Sequence, residues 1–354
     1  VLASGTEIKP ENGVYKITLN KNEEIKVLLK DNVTKINSEI SKKLKNNNAE
    51  SINLKEYANK TLFAYGITKE NGWYDHDKLS ILGINAPDNS YCWASTASGW
   101  IKWFFVQMSK EGYKIPEKYL INSEKYRSII FEKFVENFNN TGSGGKTYFG
   151  LDYFLWKKYI YQNTTESFKI DNPRDKNDNG FGAFFEILKE SGINEKSIDI
   201  EITSNKSGDK LENYMITTKD NKILKSIAFE EFMGYQYNKY GNKYKNRLDY
   251  FSKTVINALN NGGVVAILPN DGGHVINVWG VETNNAGIVN KLYITDSDDV
   301  KKYGKNKLIC LELKENHGAL FLNNYIGNGI FRGWQVFYKF PFTISELREI
   351  IKDN

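Results

Sequence analysis

The chain has 354 residues, 40% of them apolar and 26% charged, which is enough to close a core and cover it. Its net charge of +5 comes from lysines interspersed with acidic residues, without the basic block that tracks phosphates, and this argues against a nucleic-acid partner. No run approaches the roughly eighteen consecutive apolar residues that a membrane span needs.

Residues 1–30 read as extended. Val14 to Leu19 alternate, Asn20-Lys21-Asn22 make a polar turn, and Ile25 to Leu29 follow, a pattern that fits a hairpin. From Asp31 to Asn59 the chain is rich in Lys, Asn, Ser and Glu, as in a solvated helix or linker. Residues 1–60 are therefore expected to form an N-terminal extension and residues 61–354 the main domain. The start at Val1, without a methionine, fits a mature or an artificially trimmed chain whose export signal is gone.

Cys92 to Met108 carries Trp93, Ala97, Trp100, Ile101, Phe104 and Phe105 at helical spacing and predicts the strongest helix. Further helices are predicted over 116–138, 148–162, 181–191 and 247–261, the last stopped by Gly262-Gly263. Strands are predicted at Val264–Leu268, His274–Gly280, Lys291–Asp296, Leu308–Leu313 and Trp334–Phe340. A helical first half followed by an antiparallel second half is an α+β order of elements.

The two cysteines lie far apart in different settings, so neither a disulfide framework nor a thiolate metal site can be read from them. Cys310 falls in an alternating strand, where a cysteine is ordinarily a small buried hydrophobe, and receives no chemistry. Cys92 joins the turn-rich stretch Asn85 to Ser90 to the start of the predicted helix. There the helix dipole favours a thiolate. A random cysteine at such a place is more often a cap or a core residue. Here, however, Cys92-Trp93-Ala94-Ser95 resembles the papain-like run that opens a buried helix with the nucleophile.

A base must come from three histidines. His76 sits in a polar stretch and His317 in a turn, whereas His274 follows Asp271-Gly272-Gly273 and opens an apolar strand. Asp296 and Asp298, two apart on the next predicted strand, share a face and can both turn toward it. Asp175 to Gly180 with Glu186 meets the spacing of a calcium loop, but Asn172-Pro173 breaks the entering helix, leaving a structural calcium site at best. No cofactor or catalytic metal is expected.

Four motifs in order, Asn71-Gly72-Trp73-Tyr74-Asp75, Cys92 to Ala97, His274 to Gly280 and Tyr293 to Asp298, resemble the streptococcal immunoglobulin-degrading endopeptidases of the IdeS/Mac family. The likeness runs from about Leu62 onward. It implies a papain-like fold, a secreted or cell-surface bacterial enzyme, no metal requirement, and an immunoglobulin (IgG or IgM) heavy chain cut near the hinge; a monomer is expected. It also implies Cys92 as nucleophile, His274 as base, Asp296 as its orienting carboxylate, Asp298 at the second acidic position and Lys78 at the oxyanion hole. Two features differ from the streptococcal pattern: a longer segment between Lys78 and Cys92, and Trp93 in place of a small residue. The same Cys-His-Asp set serves peptidases and acyl transferases acting on other host proteins. A non-catalytic immunoglobulin-binding homologue is a further alternative, against which the presence of all three residues argues.

Overall fold

The computed structural model describes residues 10–11, 14–15, 49–78, 90–124, 127–139, 147–157, 174–175, 177–178, 180–204, 211–218, 223–232, 246–270, 273–298, 307–316, 319–331 and 333–352. At the N-terminus, β1 (Pro10–Glu11) pairs with β2 (Val14–Tyr15). This is not the expected pairing of 14–19 with 25–29, of which residues 16–29 lie outside the described residues.

The body is α+β, built on one antiparallel sheet. Its strands are β3 (Thr61–Phe63), β4 (Ile198–Ser204), β5 (Leu211–Thr218), β6 (Ile223–Phe232), β7 (Gly263–Ile267), β8 (Ile276–Thr283), β9 (Val289–Thr295), β10 (Ile309–Asn316), β11 (Ala319–Leu322), β12 (Ile330–Phe331) and β13 (Trp334–Tyr338). They run in the spatial order β12-β11-β10-β9-β8-β7-β13-β6-β5-β4, with β3 paired to the far half of β8. The first half of the chain thus supplies a strand to the sheet, which the sequence reading did not anticipate. Strands β4 to β6 were not anticipated either, although Ile198-Asp199-Ile200-Glu201-Ile202 alternates strictly.

The helices are α1 (Cys92–Lys110), α2 (Ile129–Asn137), α3 (Thr147–Leu151), α4 (Ala183–Glu190), α5 (Arg247–Asn260) and α6 (Ile344–Lys352). Two predicted helices are shorter than expected. Over 116–138 there is a 3-10 turn at Glu117–Tyr119 and then α2, which starts afresh because Ser128 is extended and caps Phe131 N–H at 3.4 Å. Over 148–162, α3 passes into a π-helical turn at Asp152–Trp156 that ends where Lys157 turns left-handed (φ 52°). Residues 158–162 lie outside the described residues.

Helices α1 and α5 cover opposite faces of the sheet, and β13 makes this visible. Trp334 meets Tyr250 and Phe251 of α5, whereas Phe337, three residues on and so of opposite parity, meets Trp100, Trp103 and Phe104 of α1. Covering both faces accounts for the unbroken burial of β7 and the nearly unbroken burial of β8. Helix α1 is enclosed on its other side by α2 and α3, so it is buried nearly all round rather than along a stripe. Such a helix holds its first residue firmly.

Cys310 is exposed, against expectation. In β10 the period of two sends Ile309, Leu311 and Leu313 inward and puts Cys310 on the outer face with Glu312.

Candidate active site

Cys92 is the first residue of α1 and a free, half-buried thiol. No side chain caps this helix start and no acidic residue occupies its first turn, so the positive end of the dipole is left to act on the sulfur. One turn on, two hydroxyls tie the helix to its neighbours. Ser95 Oγ donates to the His76 carbonyl at 2.7 Å, and Thr96 Oγ1 donates to the Val275 carbonyl at 3.2 Å.

His274 is buried two residues before β8, its N–H donating to the Pro269 carbonyl at 3.2 Å. Its Nε2 lies 2.7 Å from Asp296 Oδ1. The imidazole also interacts with Cys92, and with Nε2 turned to Asp296 the nitrogen left for the sulfur is Nδ1. The Val275 N–H also favours the thiolate form of that sulfur.

Asp296 and Asp298 both reach His274, but strand alternation is not the reason. Strand β9 ends at Thr295, and the chain then turns back so that Asp298 N–H donates to Asp296 Oδ1 at 3.0 Å. This leaves Asp298 Oδ2 3.7 Å from the same Nε2. The second oxygen of Asp296 is taken by Tyr325, whose hydroxyl donates to Oδ2 at 2.6 Å. Tyr325 lies in the loop between β11 and β12, and no local pattern in the sequence marks it.

Lys78 is only 4% exposed, where hydropathy alone predicts a solvated charge. Its ammonium sits 3.0 Å from Asp298 Oδ1 and its N–H donates to the Ser297 carbonyl at 2.9 Å. The four residues before it are each fixed. Thr295 Oγ1 donates to the Tyr74 carbonyl at 2.9 Å, Asp75 Oδ2 accepts from Lys307 N–H at 3.0 Å, His76 holds Ser95, and Asp77 pairs with Arg127 at 3.1 Å. This segment bridges the start of α1 and the end of β9. His76 itself is buried, and burial pushes its imidazole down to about 3, so it is neutral.

The charges reinforce one another. Burial would raise the Cys92 thiol, but the His274 imidazolium, its hydrogen bond, the Lys78 ammonium and the Val275 N–H together hold it below its ordinary value. Burial would lower His274, yet the charges of Asp296 and of the Cys92 thiolate, with their hydrogen bonds, raise it well above the usual range. For Asp296 burial acts upward and loses to His274, Tyr325 and the Asp298 N–H, which keep the carboxyl ionised. Lys78 is raised in spite of burial by Cys92, Asp298 and Asp296. The favoured state is a thiolate beside an imidazolium, backed by a carboxylate and flanked by a lysine–aspartate pair.

Among the described residues, His274, Asp296 and Asp298 offer ligand atoms within 4.8 Å of one another. The Lys78 ammonium already occupies Asp298 and would repel a cation there. In the calcium-loop motif, Asp178 engages the Tyr153 hydroxyl and Gly180 N–H, while Glu186 engages Lys118 and the Tyr119 hydroxyl. Lys176 and Asn179 lie outside the described residues.

All five candidate residues therefore converge. The residues that sequence reasoning passed over are Tyr325, Ser95 and Thr96. The last two carried a usable signal, being polar at i+3 and i+4 from Cys92 and so on its face of the helix.

The family model described as Mac 1 matches residues 230–329, a span that contains His274, Asp296, Asp298 and Tyr325. The IgM protease of Streptococcus suis (strain P1/7) is 24% identical over an alignment of 268 residues that covers 73% of this chain and 20% of that protein. The chain thus spans about a fifth of the length of that relative. No helix among the described residues is long and apolar enough to cross a membrane. With four motifs in order along the sequence, these two matches make the chain a relative of the IdeS/Mac family.

Proposed function

We propose that this chain is a secreted or surface-exposed bacterial cysteine endopeptidase of papain-like architecture that cuts an immunoglobulin heavy chain near the hinge. The observation that carries the reading is the line from Cys92 sulfur through His274 to Asp296, with Nε2 at 2.7 Å from the carboxylate and the sulfur at the start of a buried helix. The relative named as an IgM protease supports the substrate class.

In this mechanism the Cys92 thiolate attacks the scissile carbonyl carbon, forming a C–S bond as the carbonyl electrons move onto oxygen. The oxyanion is met by the Cys92 N–H at the helix start and by the Lys78 ammonium. When the C–N bond breaks, the His274 imidazolium gives its Nδ1 proton to the leaving amine. Water then adds to the thioester as neutral His274 takes a proton, the C–S bond breaks, and the acid leaves with the thiolate restored. Asp296 keeps the ring in line and favours its charged form. Asp298 holds Lys78 in place.

The test is incubation with purified IgM, IgG and IgA, reading fragment masses, with Cys92→Ala as control. A discrete heavy-chain fragment pair, made with wild type and lost in Cys92→Ala, is the expected result. Intact immunoglobulin throughout would overturn the substrate, and cleavage retained in Cys92→Ala would overturn the nucleophile. A fragment carrying an added amine in place of hydroxide would favour acyl transfer.

A further inference from the structure

We infer that Tyr325 is a positioning residue for this site, acting through Asp296 to keep His274 charged; the inference rests on the Cys92–His274–Asp296 reading above. Three observations converge on the loop between β11 and β12. First, the Tyr325 hydroxyl donates a hydrogen bond to Asp296 Oδ2 at 2.6 Å while Oδ1 faces His274, so the carboxylate is gripped from both ends and cannot rotate away from Nε2. Second, the loop is fastened to the segment that carries His274. Asn270 N–H donates to the Asn328 carbonyl at 2.9 Å, and Asn328 N–H donates to Asn270 Oδ1 at 2.8 Å. Third, that contact leaves no spare room. A methyl group on Gly327 would come within 2.9 Å of Asn270 Oδ1 and 3.5 Å of the Tyr325 ring.

The chemistry follows from where the proton sits. Burial, the Asp296 charge and their hydrogen bond raise the phenol far above its usual range, so Tyr325 remains a donor wherever the thiolate–imidazolium pair exists. A buried carboxylate that loses one of its donors is a weaker and less well-directed partner for the imidazolium. The neutral thiol–imidazole pair then gains at the expense of the charged one. Tyr325→Phe keeps the ring and its packing and removes only the donor.

The experiment follows alkylation of Cys92 by iodoacetamide, with no immunoglobulin present and in a Cys310→Ala background, at about pH 6 and about pH 9, on either side of the ordinary thiol value. Near pH 6 the Tyr325→Phe rate should be about tenfold below wild type, the loss of one charge-assisted hydrogen bond. Near pH 9, where direct deprotonation supplies the thiolate, the two rates should converge. In an Asp296→Asn background, adding Tyr325→Phe should change the slow rate less than twofold, because the group it acts through has gone. Equal rates for wild type and Tyr325→Phe near pH 6 would overturn the inference. So would a deficit persisting near pH 9, which would report damaged access, or additive losses in the double variant. If wild type itself alkylates near pH 6 no faster than a free thiol, the failure belongs to the ion-pair reading of Cys92 and His274. Matching thermal unfolding of the variants checks that each is folded.

Discussion

Lys78 shows how far tertiary pairing can override a local pattern. Hydropathy reads a lysine among Asp75, His76 and Asp77 as solvated, but Asp298 receives its ammonium at 3.0 Å in a buried position facing Cys92. As the proposed oxyanion donor it should act on turnover more than on binding. Lys78→Ala is expected to cut kcat about a hundredfold with KM nearly constant, and a raised KM with kcat intact would assign it to substrate docking instead. Asp75 gives a test that needs no substrate. Burial and the nearby Asp77 carboxylate, opposed by Lys307 N–H and Arg127 and aided by Asp296, push its carboxyl up to about 7. Between the ordinary carboxylate range and that value the folded chain holds a proton that the unfolded chain has lost. This contribution to stability therefore falls as pH rises through the window. Urea midpoints of Asp75→Asn should drop less between pH 5 and 7.5 than those of wild type, and equal drops would refute the shift. Cys92 and His274 were legible because few residues of their types exist and each sits at an element boundary. Tyr325 was not, because a hydrogen bond across 29 residues leaves no periodic trace.

At the scale of elements, α1 matters because neighbours fix it on every side. Its contact with α3 depends on a close approach, for a methyl group on Gly150 would sit 2.6 Å from Ala97 Cβ and 3.1 Å from the Phe134 ring. Gly150→Ala should cost about 1–3 kcal/mol in urea unfolding, the range for overpacking, and Ala97→Gly in the same chain should recover much of it. No change in Gly150→Ala would mean that the two helices are not held at this distance. Some elements were readable and were passed over. Helix α6 begins with Thr343-Ile344-Ser345-Glu346, a capping box in which Glu346 N–H donates to Thr343 Oγ1 at 3.2 Å and Thr343 N–H donates to Glu346 Oε2 at 2.8 Å. The break before α2 was less legible, because the apolar spacing of 116–138 continues past Ser128 and only the extended backbone there reveals the cap.

For the whole molecule, the site exists only where distant parts of the chain meet. Lys78 comes from the segment after β3, Cys92 from α1, His274 from the entry to β8, Asp296 from the exit of β9 and Tyr325 from the loop after β11. The sheet brings β8 beside β9 with Asn277 opposite Thr295, so His274 and Asp296 emerge at the same end of the pair. Helix α1, packed against β8, delivers the sulfur there. A depressed thiol value is thus a property of the folded chain as a whole. The direct measurement is the thiolate ultraviolet absorbance of the protein minus that of Cys92→Ser across the pH range, folded and in denaturant, which leaves Cys310 out of the difference. The expected result is a Cys92 thiolate that persists in the folded chain well below the ordinary thiol value of about 8.5 and returns to that value on unfolding. Identical titrations in the two states would contradict the ion pair, and with it the proposed mechanism.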